Sequence, residues 1–240
     1  LRENFAAIVS HELKSPLSAV QQNLFVLAHQ LSSVTSEDQR HQLERMKSRI
    51  GDLLAMVDTW LRGVSVDLNG IRERFRTIPL AAPISRAVES VEPHAIRKAV
   101  EVVVEEHGEV VYGDEGTLAE ALTNVIGNAV KYSYEGGTVA VTTKHLDHEV
   151  RIDVSDTGVG IPDGDKVHIF DDFYRAPTVP RQEGGVGLGL AISRRIVEAH
   201  RGSVSVESEV GEGTTFTILL PTQAPEPSHP DSPPPERSEI

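Results

Sequence analysis

The chain contains no cysteine, which excludes disulfide frameworks, thiolate zinc sites, iron–sulfur clusters and cysteine nucleophiles and fits a reducing compartment. Its longest apolar run, Ile78 to Ile84, is seven residues and holds two prolines, far short of the roughly 20 that span a bilayer as a helix. Positive charge is in the minority. With 23 basic against 36 acidic side chains the net charge is −13, which repels nucleic acid and anionic membrane, and no local basic patch reverses it. An initiator methionine and a signal-peptide pattern are also missing at Leu1, where helical periodicity is already under way, so the chain is expected to be a fragment of something longer. What is present suffices for packed cores: 240 residues, 39% hydrophobic and 25% charged, with room for two modest domains.

Apolar residues recur at Leu13, Leu17, Val20, Leu24, Leu27, Leu31 and Val34, steps of four and three that make a heptad seam and predict one helix over residues 1 to 33. Ser36-Glu37-Asp38-Gln39 reads as a capping box, and Leu43, Met46, Ile50, Leu53, Val57, Trp60 and Val64 continue the pattern as a second helix. A hairpin this small cannot cover its own seam, so homodimerisation into a four-helix bundle is expected. After Val64 the pattern stops. Asn69-Gly70, charged residues and two prolines mark a linker, with the boundary near residue 72. Beyond it we expect a short helix around Ile84 to Val91, strands at 100–104 and 109–112, a helix from 115 to 131 capped by Asp114, a hairpin at 138–143 and 149–155, a loop-rich stretch at 156–187, a helix at 188–200, and strands at 203–207 and 214–220. This is an α+β layer of helices on a mixed sheet. Residues 222–240, in a stretch with seven prolines from Pro221 onward, read as a solvated tail or linker. The expected domains are thus 1–66, 72–221 and the tail.

Three constellations carry chemistry. Glu120, Asn124, Asn128 and Lys131 fall within about 80° of one helix face, opposite the apolar Leu118, Ala121, Leu122, Val125, Ile126 and Ala129. Two carboxamides above a lysine on a polar stripe suit the wall of a site, although a solvated amphipathic face would look the same. Asp156-Thr157-Gly158-Val159-Gly160-Ile161-Pro162 follows a strand, where a carboxylate can accept from an amino group while thin glycine backbone lets a ligand approach. Gly184-Gly185-Val186-Gly187-Leu188-Gly189-Leu190 opens a helix whose N-terminal amides can hold phosphate. It lacks the preceding strand of a dinucleotide fold, and no Gly-Lys pair exists anywhere, which excludes a P-loop.

Taken together these segments resemble the two-component sensor histidine kinases. Ser10-His11-Glu12-Leu13-Lys14-Ser15-Pro16-Leu17 is similar to the H box of that family, Glu120–Tyr132 to the N box, Asp156–Pro162 to the G1 box, Phe170–Arg175 to the F box, Gly185–Leu190 to the G2 box and Gly211–Phe216 to the last glycine motif. The resemblance covers residues 1 to 221 and implies an all-α dimerisation and phosphotransfer hairpin followed by an α+β GHKL (Bergerat-type) ATP-binding sandwich. It implies cytoplasmic autophosphorylation from ATP and Mg²⁺ on His11, then transfer to an aspartate on the receiver domain of a response regulator. An upstream sensor region, membrane-bound in a longer protein, is expected, with no membrane contact in this segment.

His11 falls at heptad position b, pointing outward as an acceptor must. Ser15 stands four residues later, so the two-histidine zinc helix fails. Glu12 is placed to orient the ring or take its proton. Ser15 stands where relatives usually carry threonine or asparagine for dephosphorylating the regulator, and keeps a hydroxyl. Asn124 or Asn128, or both, can give Mg²⁺ a hard oxygen; Lys131 and Arg175 neutralise phosphate; Asp156 reads the adenine amino group; Tyr132 and Ile161 flank the base. Gly158, Gly160, Gly185, Gly187, Leu188, Gly189 and Thr214 complete the expected nucleotide site, with residues 171–187 as a lid. Two rival functions fit the sequence less well. A silent dimeric scaffold needs a broken box, and every matched position is intact; a chaperone- or topoisomerase-type ATPase, with Glu120 activating water, has no use for an exposed histidine.

Overall fold

The computed structural model describes residues 68–176 and 187–224, with isolated helical positions between 20 and 51. His11, Glu12, Ser15, Gly185, the helical hairpin as a whole and residues 225–240 lie outside the described residues. The elements are α1 (Leu68–Glu73), β1 (Arg76–Pro79), α2 (Ala81–Arg97), β2 (Glu101–Glu105), β3 (Val110–Gly113), α3 (Glu115–Tyr132), β4 (Thr138–His145), β5 (Glu149–Asp156), α4 (Asp163–Lys166), α5 (Gly189–Ala199), β6 (Ser203–Glu209) and β7 (Gly213–Pro221).

Five strands form a mixed sheet in the order β2-β4-β5-β7-β6, β2 running parallel to β4 and the other neighbours antiparallel. Alternation decides its faces. Val139, Val141, Val150, Ile152, Val154, Phe216, Ile218 and Leu220 are buried beneath the helices, with α2 over β2, α3 over β4 and β5, and α5 over β6 and β7. The opposite face is polar: Arg151 Nε lies 2.7 Å from Asp153 Oδ2, and Thr217 Oγ1 donates to Asp153 Oδ1 at 2.6 Å. Side chains of period two thus put one apolar face against the helices and leave hydroxyls and charges on the other.

Four segments differ from the sequence expectation. The stretch read as a linker contains α1, because Ile71 is buried against α5 and that burial overrides the turn signal of Asn69-Gly70. The proline-flanked residues 76–79 form β1, paired antiparallel with β3 through Ile78 and Val111; Pro79 ends the strand, where its missing N–H costs no ladder bond. The helix expected to be short runs 17 residues through Pro93, carried by the buried stripe Ile84, Ala87, Val91 and Ala95. Thr222, expected in the solvated tail, is instead buried, and both its N–H (3.0 Å) and its hydroxyl (3.1 Å) donate to the His148 carbonyl.

Candidate nucleotide site

α3 begins at Asp114, whose extended backbone and carboxylate cap the helix by accepting Thr117 N–H at 2.9 Å. Its buried side is Leu118, Ala121, Leu122, Val125, Ile126, Ala129 and Val130, while Glu120, Asn124, Asn128, Lys131 and Tyr132 are half-buried along the other. The stripe is therefore a wall and not a solvated face. α5 closes its upper side. A Cβ added to Gly189 would stand 3.4 Å from Asn124 Oδ1, so the carboxamide lies against the first turn of α5. Ser193 Oγ, 3.0 Å from the Ala121 carbonyl, and the small core of Ala121, Leu188, Ile192 and Ile196 hold the two helices together.

Asp156 ends β5, opposite Val139 on β4 and Thr214 on β7. It is buried, and among the described residues its Oδ1 is the one buried side-chain oxygen or nitrogen without a hydrogen-bond partner. Burial pushes the carboxyl up to about 6, although the N–H groups of Thr214 and Gly158 and the charge of Lys98 oppose the rise. The loop beyond is close-fitting. A Cβ on Gly158 would meet the Tyr132 carbonyl at 2.2 Å, and one on Gly160, at φ +69°, would meet the Glu209 carbonyl at 2.0 Å; only glycine lets the loop lie there. Val159 N–H donates to the Tyr132 carbonyl at 3.2 Å, and Ile161 N–H to Ser208 Oγ at 2.8 Å. Lys131 Nζ sits 3.0 Å from the Tyr132 hydroxyl.

On the third side, Phe170 packs edge-on against Phe216 with centroids 6.3 Å apart. Phe173 N–H donates to the Gly187 carbonyl at 3.0 Å, and Asp172 pairs with Arg195 of α5 at 2.5 Å. A Cβ on Gly187 would lie 2.4 Å from the Tyr174 carbonyl, so the segment carrying Arg175 meets the start of α5. Tyr132, Asp156, Gly158, Gly160, Ile161 and Thr214 are thus linked around the end of β5, and Asn124 lies beside Gly189 at the start of α5. Sequence reasoning missed two members. Ser208 bonds the Gly213 carbonyl (2.7 Å) and Thr214 Oγ1 (2.9 Å) as well as the Ile161 amide, and its inward strand position was the available signal; Lys98 had none.

Residues 113–224 match the family model of the histidine kinase-, DNA gyrase B- and HSP90-like ATPases, and residues 1–63 that of the His kinase A phospho-acceptor domain. A solved mycobacterial sensor histidine kinase, MprB, is 32% identical, with a TM-score of 0.55 over 61% of this chain and 97% of its own. The chain belongs to the sensor histidine kinases. ShkA, solved at full length in complex with AMPPNP, superposes on 92% of the chain, and the chain on 46% of ShkA, at 29% identity and a TM-score of 0.68. Circadian input-output histidine kinase CikA of Synechococcus elongatus is 30% identical over 91% of this chain and 30% of its own length. The chain spans between 29% and 60% of the length of the first curated relatives it matches. A helical phospho-acceptor region followed by an ATPase-type α+β layer is the architecture the histidine kinase resemblance implied, and ATP is the nucleotide of the matched ATPase family. Among the described residues no helix is long and apolar enough to cross a membrane.

Proposed function

We propose that this histidine kinase core autophosphorylates His11 from ATP and then donates the phosphoryl group to an aspartate of a response-regulator receiver domain. The observation that carries the nucleotide half is the orphaned, buried Oδ1 of Asp156 beside the Gly158 backbone: a buried acceptor without a donor costs free energy until a ligand N–H supplies one, and the adenine amino group is such a donor. Tyr132 and Ile161 flank the base, Lys131 and Arg175 neutralise the phosphates, and Leu188 and Gly189 open α5, whose first-turn amides face anions.

The carboxamide oxygens of Asn124 and Asn128 suit Mg²⁺, which takes hard oxygen ligands and keeps its waters; bound between them and the triphosphate, it would neutralise charge developing on the leaving group. His11 supplies a neutral imidazole nitrogen to the γ-phosphorus, and Glu12 orients the ring and receives its proton. The Ser15 hydroxyl is placed one helical turn on to serve regulator dephosphorylation. Val20 and Met46, both on the expected seam, are exposed in the single chain, which supports a homodimer that covers them. We place residues 1–66 in the dimerisation domain and the ATP-binding domain after it, in the cytoplasm, below a sensor region that a longer protein would carry. Label from γ-labelled ATP with Mg²⁺ should enter the protein as an acid-labile, base-stable phosphoramidate and be lost in His11→Gln. Equal labelling of that variant overturns the assignment.

A further inference from the structure

Lys98 belongs to none of the sequence motifs, yet it touches the candidate site from behind. It is the half-buried C-cap residue of α2. Its Nζ donates to the Lys131 carbonyl, one of the terminal carbonyls of α3 that a cation satisfies well. Its own carbonyl accepts Gly136 N–H at 3.2 Å. One residue thereby clamps both ends of the turn that leaves α3, and the base pocket hangs from that turn. The Tyr132 carbonyl accepts Val159 N–H, Tyr134 N–H donates to the Thr157 carbonyl at 3.2 Å, and Ser133 bridges to Gly158. Any slip of the last turn of α3 is passed directly to the loop that begins at Asp156.

We propose that Lys98 is a positioning residue of the nucleotide site, pinning the end of α3 to the Asp156–Gly158 loop and standing its ammonium behind the base-reading carboxylate. This rests on the reading of Asp156 as the residue that accepts from the base. The neighbours of Asp156 leave the task to Lys98: β4 presents Val139 and β7 presents Thr214, α3 presents Lys131 and Tyr132, which engage each other, and the charge acting on the carboxylate is that of Lys98. A charged carboxylate accepts more strongly than a neutral carboxyl. Removing the ammonium would let burial protonate Asp156 at higher pH, as well as freeing the turn.

The test is calorimetric titration of the full chain with adenosine, which needs neither phosphate contacts nor metal, between about pH 5 and about pH 8.5. The parent should lose affinity on the acid side of the Asp156 value of about 6. In Lys98→Met the midpoint should move up by about one pH unit, which costs about twofold in affinity near neutrality and is recovered at the alkaline end, on top of a pH-independent loss from the freed turn. Lys98→Gln, which keeps a donor for the Lys131 carbonyl and drops the charge, should show the same displaced midpoint even if the methionine variant folds poorly; Lys98→Arg should stay near the parent. An unmoved midpoint in Lys98→Gln, or a loss equal at every pH, overturns the proposal. Asp156→Asn is run alongside: if it binds adenosine like the parent at every pH, the base-reading assignment itself fails, a result separable from an unmoved Lys98 midpoint.

Discussion

Asp156 concentrates the base-reading chemistry of the site in one carboxylate, and it and Asn128 should fail differently when altered. Asp156→Asn keeps one acceptor oxygen but loses the charge, so ATP, ADP and adenosine should all bind more weakly, by about 1–3 kcal/mol in titration calorimetry. Asn128→Ala should instead lower Mg²⁺-dependent labelling while leaving adenosine affinity near the parent's, since the base side remains whole. The same carboxylate should also cost the ligand-free protein stability. Its value is raised from 3.8 to about 6, so the folded state holds this proton more tightly than the unfolded chain. The stabilisation from this group is complete below its unfolded value and is lost as pH rises through about 6. Without nucleotide, Asp156→Asn should therefore melt higher than the parent above neutrality, and the gap should close on acidification; a lower melting temperature throughout would contradict the burial argument.

Among the elements, α3 is the beam from which the site is hung, and its cap is the place to weaken it without touching the pocket. Asp114→Ala removes the bond to Thr117 N–H and the 3.0 Å contact with Arg74, and should cost about 1–2 kcal/mol, read from the urea midpoint. At the same cap, His200 is buried, accepts Asp114 N–H at Nε2 (3.0 Å) and stacks on Phe75 with centroids 4.4 Å apart. Burial lowers its value below 6.5; its contribution is present above that pH and fades below it, opposing the Asp156 effect. The sequence announced α3, the β4–β5 hairpin, α5 and the glycine loops because heptad-like stripes, alternation and glycines are local signals. It hid α1 and β1, whose apolar content is little more than Ile71 and Ile78 and whose partners lie far along the chain, in α5 and β3. Lys98 was illegible for the same reason: its meaning is a carbonyl 33 residues away.

For the whole molecule, the dimer reading makes a separable claim about two cores. Leu24→Lys together with Leu53→Lys should convert the full chain from dimer to monomer in sedimentation while adenosine binding is unchanged, because the seam and the pocket belong to different cores. Loss of both together would mean a shared core. The topology has a further bearing on synthesis. β2 is an edge strand whose one neighbour among the described residues, β4, is translated only after β3 and all of α3. While the ribosome makes that intervening stretch, Val102, Val103 and Val104 wait with both strand edges bare, the condition in which nascent chains pair with one another. Glu101 and Glu105 flank the three valines, one repelling charge on each side, and so act as gatekeepers for the interval before the true partner emerges.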